Sequence, residues 1–264
     1  MQRLFPTVAG HVDPASIYDE LVFPSSRDGR PYTAVNMVST VDGKTTLDEN
    51  RIREPIGSSL DRALMRRLRV HFDAVIRGAG TVRADSFYPG VPPELEHRRI
   101  ARGLARQPLA VVVTGTGDLP LDAPFFRQAP RRPLVIAAAT VSRERKAAIE
   151  AVADVAVLDT APLDLQAVWR LLYDAYGVRR LLSEGGARFN HACIKAGLLD
   201  DIFWTVAPRI AGSSDDLTMV SGPGILQPMP RLELVSAYLH ENELFLRWRL
   251  VESESAGSGP RESV

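Results

Sequence analysis

The stretch Arg180-Leu181-Leu182-Ser183-Glu184-Gly185-Gly186-Ala187-Arg188-Phe189 starts as a short apolar run, stops at two glycines and resumes as a helical pattern through Ile194. An apolar run of this length bounded by glycine reads as a buried strand. Two glycines then let the backbone turn sharply into a helix, whose first amides and dipole favour an anion such as a pyrophosphate. Glu184 at the strand end would repel that anion. Its carboxylate is therefore expected to face a substrate or to tie down a loop, with the glycines facing a cofactor. A glycine-rich strand-to-helix connection with no ligand explains this stretch equally well when it is taken alone.

Working outward, the same alternation recurs. Ala74 to Arg77, Leu109 to Thr114, Leu134 to Ala139 and Val155 to Leu158 are apolar runs of strand length. Ser142 to Val152 and Leu163 to Tyr176 lie between strands as helical patterns, and Ser58 or Ser59 caps a helix to about Val70 on which Leu60, Leu64 and Leu68 share a face. Such alternation predicts an α/β fold with a mostly parallel central sheet covered by helices. Asp201 to Ala207 and Leu244 to Val251 lack a clear helix between them, which predicts an antiparallel C-terminal edge. In the last strand Leu244, Leu246, Trp248 and Leu250 read as one apolar face. Residues 1–30 read as an N-terminal arm with a short helix near Pro14 to Leu21, residues 31–251 as the folded domain, and residues 252–264 as a polar, disordered tail.

Two further loops carry candidate chemistry. Arg77-Gly78-Ala79-Gly80-Thr81-Val82-Arg83-Ala84-Asp85 follows a strand directly, and its paired glycines would admit a ligand close to the backbone, with Thr81 adding a hydroxyl. It lacks the third glycine of a Rossmann fingerprint, and a plain turn is an alternative. Asn36-Met37-Val38-Ser39-Thr40-Val41-Asp42-Gly43-Lys44 runs from a strand, Tyr32 to Ser39, into an Asp-Gly turn, placing polar groups where open α/β sheets bind ligands. Three such loops at strand ends converge on one cleft if the strands are parallel.

Composition narrows the classes. Thirty-two Lys and Arg balance thirty-two Asp and Glu, so no global field gathers nucleic acid or an acidic membrane. The single cysteine, Cys193, rules out an internal disulfide and thiolate-rich metal sites and reads as packing rather than a nucleophile. No metal ligand set is expected. Met1 to Gly10 does not read as a secretory signal and no apolar run reaches membrane length, so a cytoplasmic protein is expected.

Taken in order, Ser39-x-x-Asp42-Gly43-Lys44, Leu68-Arg69, Asp73-Ala74-Val75, Gly78-Ala79-Gly80-Thr81-Val82-x-Ala84-Asp85, Ser183-Glu184-Gly185-Gly186 and Ala207-Pro208-Arg209-Ile210-Ala211-Gly212 resemble the pyrimidine reductase domain of riboflavin biosynthesis. The resemblance spans about Arg30 to Val251. It implies a dihydrofolate-reductase-like three-layer fold, a homodimer, and a reductase that moves a hydride from NADPH to the ribosylamino group of a phosphorylated pyrimidine. The deaminase signatures that precede this domain in bifunctional relatives are not found in the chain, so a stand-alone reductase is expected.

By position, the resemblance assigns Gly78, Gly80, Thr81, Val82, Asp85, Ser183, Gly185, Gly186, Ala187 and Arg188 to the cofactor. It assigns Asn36, Ser39, Asp42, Arg69 and Glu184 to the substrate. Where Asn36 stands, bifunctional bacterial relatives often carry Lys. Glu184 and Asp85 are the candidate catalytic carboxyls, as proton sources if a closed site raises a carboxyl pKa. Thr114, Thr140, Ser142 and Arg143 are candidates for the cofactor 2′-phosphate.

After Asp85 the pattern departs from the family: a second Asp, a Pro and a Thr-x-Arg element give way to Ser86-Phe87-Tyr88-Pro89-Gly90-Val91 and a basic run through Arg98 and Arg99. Arg98, Arg99 or Arg102 would then grip the substrate phosphate, or the run is a solvated helix face. Reduction of dihydrofolate or a pterin, and NADPH binding without catalysis, stay open as alternatives.

Overall fold

Residues 1–26, 28–45, 55–212 and 218–251 are described by the computed structural model. Its strands are β1 (Gln2–Phe5), β2 (Tyr32–Thr40), β3 (Ala74–Gly78), β4 (Leu109–Thr114), β5 (Leu134–Ala138), β6 (Asp154–Leu158), β7 (Arg180–Ser183), β8 (Asp201–Ala207), β9 (Arg231–His240) and β10 (Glu243–Val251). Its helices are α1 (Ser59–Leu68), α2 (Ala79–Ala84), α3 (Pro93–Ile100), α4 (Pro124–Arg127), α5 (Arg143–Glu150), α6 (Leu165–Asp174) and α7 (Ala187–Lys195). Helix starts fall where short polar side chains cap them: Ser58 on α1, Ser142 on α5 and Asp164 on α6 each accept a backbone N–H of the first turn. A 3₁₀ turn over Arg69–His71 extends α1 towards β3.

The strands form one sheet in the order β1-β9-β10-β8-β2-β7-β3-β4-β5-β6. From β8 through β6 every neighbouring pair is parallel, while β10, β9 and β1 add antiparallel strands. The chain leaves β3 towards β4 on one side and leaves β7 towards β8 on the other. This divergence between neighbouring strands opens a crevice beyond their carboxyl ends.

Helices cover both faces. On one, Val168, Trp169 and Leu172 of α6 and Cys193 of α7 pack on Ile76, Val111 and Ile136. On the other, Leu64 and Leu68 of α1 pack on Ala34, Val75 and Leu182, and further along the sheet Val82, Phe125 and Ile149 pack on Ala110, Val112 and Val135. Cys193 is fully buried, and burial pushes its thiol well above the usual range. No helix among the described residues is long and apolar enough to cross a membrane.

The structure departs from the sequence expectations at the antiparallel side. Among the described residues there are two more strands than expected, β1 at the sheet edge and β9 next to it, both with mixed side chains and no clean alternation. The described residues of 1–30 therefore add a strand to the sheet and bury Met1 and Tyr18 against Phe203 and Phe245; the helical part among them is the 3₁₀ turn Pro14–Ser16. In β10 the more deeply buried face is Glu243, Phe245 and Arg247, while Leu244, Leu246, Trp248 and Leu250 are half-buried. Arg247 tolerates this burial because Asp201 accepts from its Nε and Nη2 at 2.8 and 2.5 Å and Phe23 of the N-terminal segment lies 4.9 Å from the guanidinium. The tail 252–264 lies outside the described residues.

Candidate active site

Two glycine loops meet at the crevice. Gly78, at the end of β3, donates its N–H to the carbonyl of Gly185 at 3.2 Å, tying the first turn of α2 to the turn into α7. Gly185 and Gly186 hold φ of +87° and +98°, a region that a side chain makes costly. Space is tight as well: a Cβ on Gly185 would lie 2.7 Å from Met37 Sδ, and one on Gly186 would lie 3.0 Å from Thr81 Oγ1, so a neighbour would have to shift. Gly78 and Gly186 are the N-caps of α2 and α7, and neither helix has a side-chain cap among the described residues. Two helix starts with uncapped amides thus stand side by side, as a phosphate-bearing cofactor requires.

The assigned cofactor residues do not all present side chains there. Gly80 and Arg188 are exposed and Thr81 is half-buried beside Gly186. Val82 points instead into the core under β4, and Ala187 is buried, so these two can offer only backbone. Ser183 is fully buried, its Oγ accepting the Gly185 N–H at 3.4 Å, which shapes the turn. Of the 2′-phosphate candidates, Thr114 accepts the Gly117 N–H, Thr140 donates to the Gly115 carbonyl and Ser142 caps α5. Arg143 is exposed at the start of α5.

Of the residues assigned to the substrate, Asn36, Arg69 and Glu184 lie on the sheet face that carries α1, and Ser39 lies on the other. Register sets Leu182 beside Ala34 and Val75, so two residues on, Glu184 stands between the positions of Asn36 and Arg77. Glu184 is enclosed by two arginines. Arg69 donates Nε to Oε1 at 2.5 Å and Nη2 to Oε2 at 2.8 Å; Arg77 donates Nη2 and Nε to Oε2 at 2.6 and 3.2 Å. Burial alone would push the Glu184 carboxyl up, but the two guanidinium charges outweigh it and hold it down at about 2. The expected upward shift is thus reversed, and Glu184 has no proton to donate near neutrality. Asp85 is half-exposed, with Oδ2 3.4 Å from Arg77 Nη1.

Ser39 and Asp42 both have hydrogen-bond partners within the chain. Ser39 is buried, accepting Trp204 Nε1–H at 2.9 Å and donating to the Thr40 carbonyl. Asp42 accepts from the Thr40 hydroxyl and from the amides of Gly212 and Ala211, which hold its carboxyl well below the usual range and staple the 40–44 turn to the 208–212 loop. The basic run that starts on α3 is only partly solvated: His97 and Arg102 are exposed and Arg99 is buried. Arg98 pairs with Asp19, Arg102 donates to the Asp19 carbonyl, and Arg99 is fully buried on the carbonyls of Arg69, Phe72 and Ala105. Sequence reasoning passed over Arg77 as a site residue. Its signal was a lone charge on an otherwise apolar strand.

Residues 31–259 match the RibD C-terminal domain family. A 2,5-diamino-6-ribosylamino-4(3H)-pyrimidinone 5′-phosphate reductase from Archaeoglobus fulgidus is 34% identical over 199 residues, 75% of this chain and 90% of that one. One of the same name from Methanothermobacter thermautotrophicus is 31% identical over 223 residues, 83% of this chain and 98% of that one. Among solved structures, a pyrimidine reductase-like protein from Corynebacterium diphtheriae has the same fold, with a TM-score of 0.69 at 21% identity over 84% of this chain and 93% of that one. The chain belongs to the RibD C-terminal domain family, with its dihydrofolate-reductase-like fold.

Proposed function

We propose that this chain reduces a ribosylamino-pyrimidine 5′-phosphate to its ribitylamino product, with NADPH as the hydride donor. The observation that carries this reading is the meeting of two uncapped helix starts with the Arg69–Glu184–Arg77 cluster at the carboxyl ends of β3 and β7. The relatives named for that reaction support it. When bound, the nicotinamide supplies a hydride from C4 to C1′ of the ring-opened or imine form of the sugar.

The residues of the chain bind and orient. The backbone of Gly78, Gly80, Thr81, Val82, Gly185, Gly186 and Ala187 meets the diphosphate, and Arg188 stands over it. Asn36, Arg69 and Glu184 face the pyrimidine and its ribose phosphate. Glu184 orients without donating a proton; Asp85, at the open edge, passes the proton directly or through a water. Arg143 meets the 2′-phosphate, so Arg143→Ala weakens NADPH about tenfold and leaves NADH unchanged. A drop for both cofactors would place the 2′-phosphate elsewhere.

A dihydrofolate- or pterin-reducing activity has one observation in its favour: Arg98, Arg99 and Arg102 each already bond a group of the chain, which weakens this run as a grip on a substrate phosphate. The test is NADPH oxidation with each substrate class, followed by absorbance. Turnover of the pyrimidine phosphate alone supports the proposal and turnover of dihydrofolate alone replaces it. NADPH binding with neither turnover leaves a non-catalytic binding protein.

A further inference from the structure

Arg77 is the single charged residue of β3 and is 4% exposed. A cation in the middle of a parallel sheet costs several kcal/mol of lost hydration unless carboxylates and carbonyls surround it. Its nitrogens are accordingly engaged. Beyond the two contacts to Glu184, Nη1 donates to the carbonyls of Asp85 and Phe87 at 3.3 and 3.2 Å. Arg69 mirrors it from the other side of the carboxylate, donating its own Nη1 to the Gly90 carbonyl at 2.9 Å. Two arginines therefore share one carboxylate and use their outer nitrogens on a single backbone segment, 85–90. The far end of that segment has separate holds: Tyr88 donates to the Pro108 carbonyl, and Gln107 bonds Val91 through both N–H and C=O.

We infer that Arg77 is a positioning residue of the reaction site, acting with Arg69 through Glu184 to pin backbone 85–90, and with it Asp85 and the exposed ring of Phe87, beside the substrate end of the crevice. What the segment touches rests on the proposed reductase function; the clamp rests on the hydrogen bonds alone. Only a guanidinium can serve both partners, because its fork offers separate donors to a carboxylate and to carbonyls that a single ammonium cannot reach together.

The test compares Arg77→Met and Arg77→Lys with the unaltered protein by steady-state kinetics over a pH series, NADPH fluorescence titration and hydrogen exchange of the 86–91 amides. Arg77→Met is expected to raise KM for the pyrimidine phosphate about tenfold while the Kd for NADPH stays within about twofold. It should also speed exchange in 86–91 and bring a new ionisation into the pH profile, because Glu184 loses a counter-charge. Arg77→Lys should restore the pH profile and leave KM and exchange altered. If Arg77→Met does not fold, Arg77→Gln, whose amide still donates to the Glu184 carboxylate, takes its place with the same expected KM and exchange.

Unchanged KM and exchange in the Met variant, equal losses for substrate and cofactor, or a Lys variant like the unaltered protein in all three readouts would each overturn the inference. If the unaltered protein turns over no pyrimidine phosphate, the functional reading fails, and the exchange comparison decides the clamp by itself.

Discussion

Glu184 shows how one side chain's role is settled by its neighbours. A buried carboxyl with no partner would hold its proton; with Arg69 and Arg77 at hydrogen-bond distance it stays ionised. Its folded pKa lies below the ordinary value, so its stabilisation is complete above about pH 4.5 and is lost as pH falls towards about 2. Glu184→Gln is expected to remove that acid limb from denaturant-unfolding midpoints. It should also cost about 3–5 kcal/mol at neutral pH, because two buried guanidinium groups lose their counter-charge. An unaltered midpoint at pH 7 would show that the arginines find other acceptors. At Gly185, where positive φ and the approach of Met37 coincide, Gly185→Ala is expected to cost about 1–3 kcal/mol and to lower NADPH affinity. Circular dichroism melts and fluorescence titration separate the two effects.

At the scale of elements, α1 is held from both ends. Its last turn leads to Arg69. Its first turn is capped by Ser58, whose N–H and Oγ both bond Glu243 of β10 at 3.1 and 2.5 Å. Asp61 follows in that turn, and burial, with Glu243 adding to it against a hydrogen bond from Thr205, raises its carboxyl to about 6. A raised folded pKa gives stability that is present below about pH 4 and lost as pH rises through about 6. Asp61→Asn is therefore expected to flatten the melting temperature between those values while leaving the acid limb of Glu184 in place. Retention of the slope in the variant would assign it to another group. The same element scale explains α3: a run of arginines looks solvated in one dimension, yet Arg99 lies on a face turned inward on three carbonyls.

At the scale of the whole molecule, the antiparallel strands leave one apolar face half-covered. Half-buried Leu244 and Leu246 of β10 lie beside half-buried Val206 and Trp204 of β8, while Ile202 beside Trp248 is buried. Such a face suits a second copy of the chain, and we propose that the chain forms a homodimer that closes here. Leu246→Glu should shift sedimentation velocity from dimer to monomer; a dimer that survives it would place the interface elsewhere. The N-terminal residues protect the opposite face of these strands, where Tyr18 and Phe23 cover Phe203 and Arg247.

What the chain's sequence determined by itself was everything that local pattern can carry. The seven parallel strands fall on apolar runs, and the two glycine loops fall at strand ends, because periodicity and glycine's backbone freedom act within a few residues. Resemblance added the order of the motifs and hence the family. Only the tertiary structure decided which groups neutralise one another. Arg77 and Glu184 are 107 residues apart in the chain and Asp42 meets a loop 170 residues on, and a charge's state depends on what stands within a few ångströms of it. Strands β1 and β9 are not legible locally: β1 pairs with a strand more than 200 residues on, and the half-exposed faces of both impose no clean alternation.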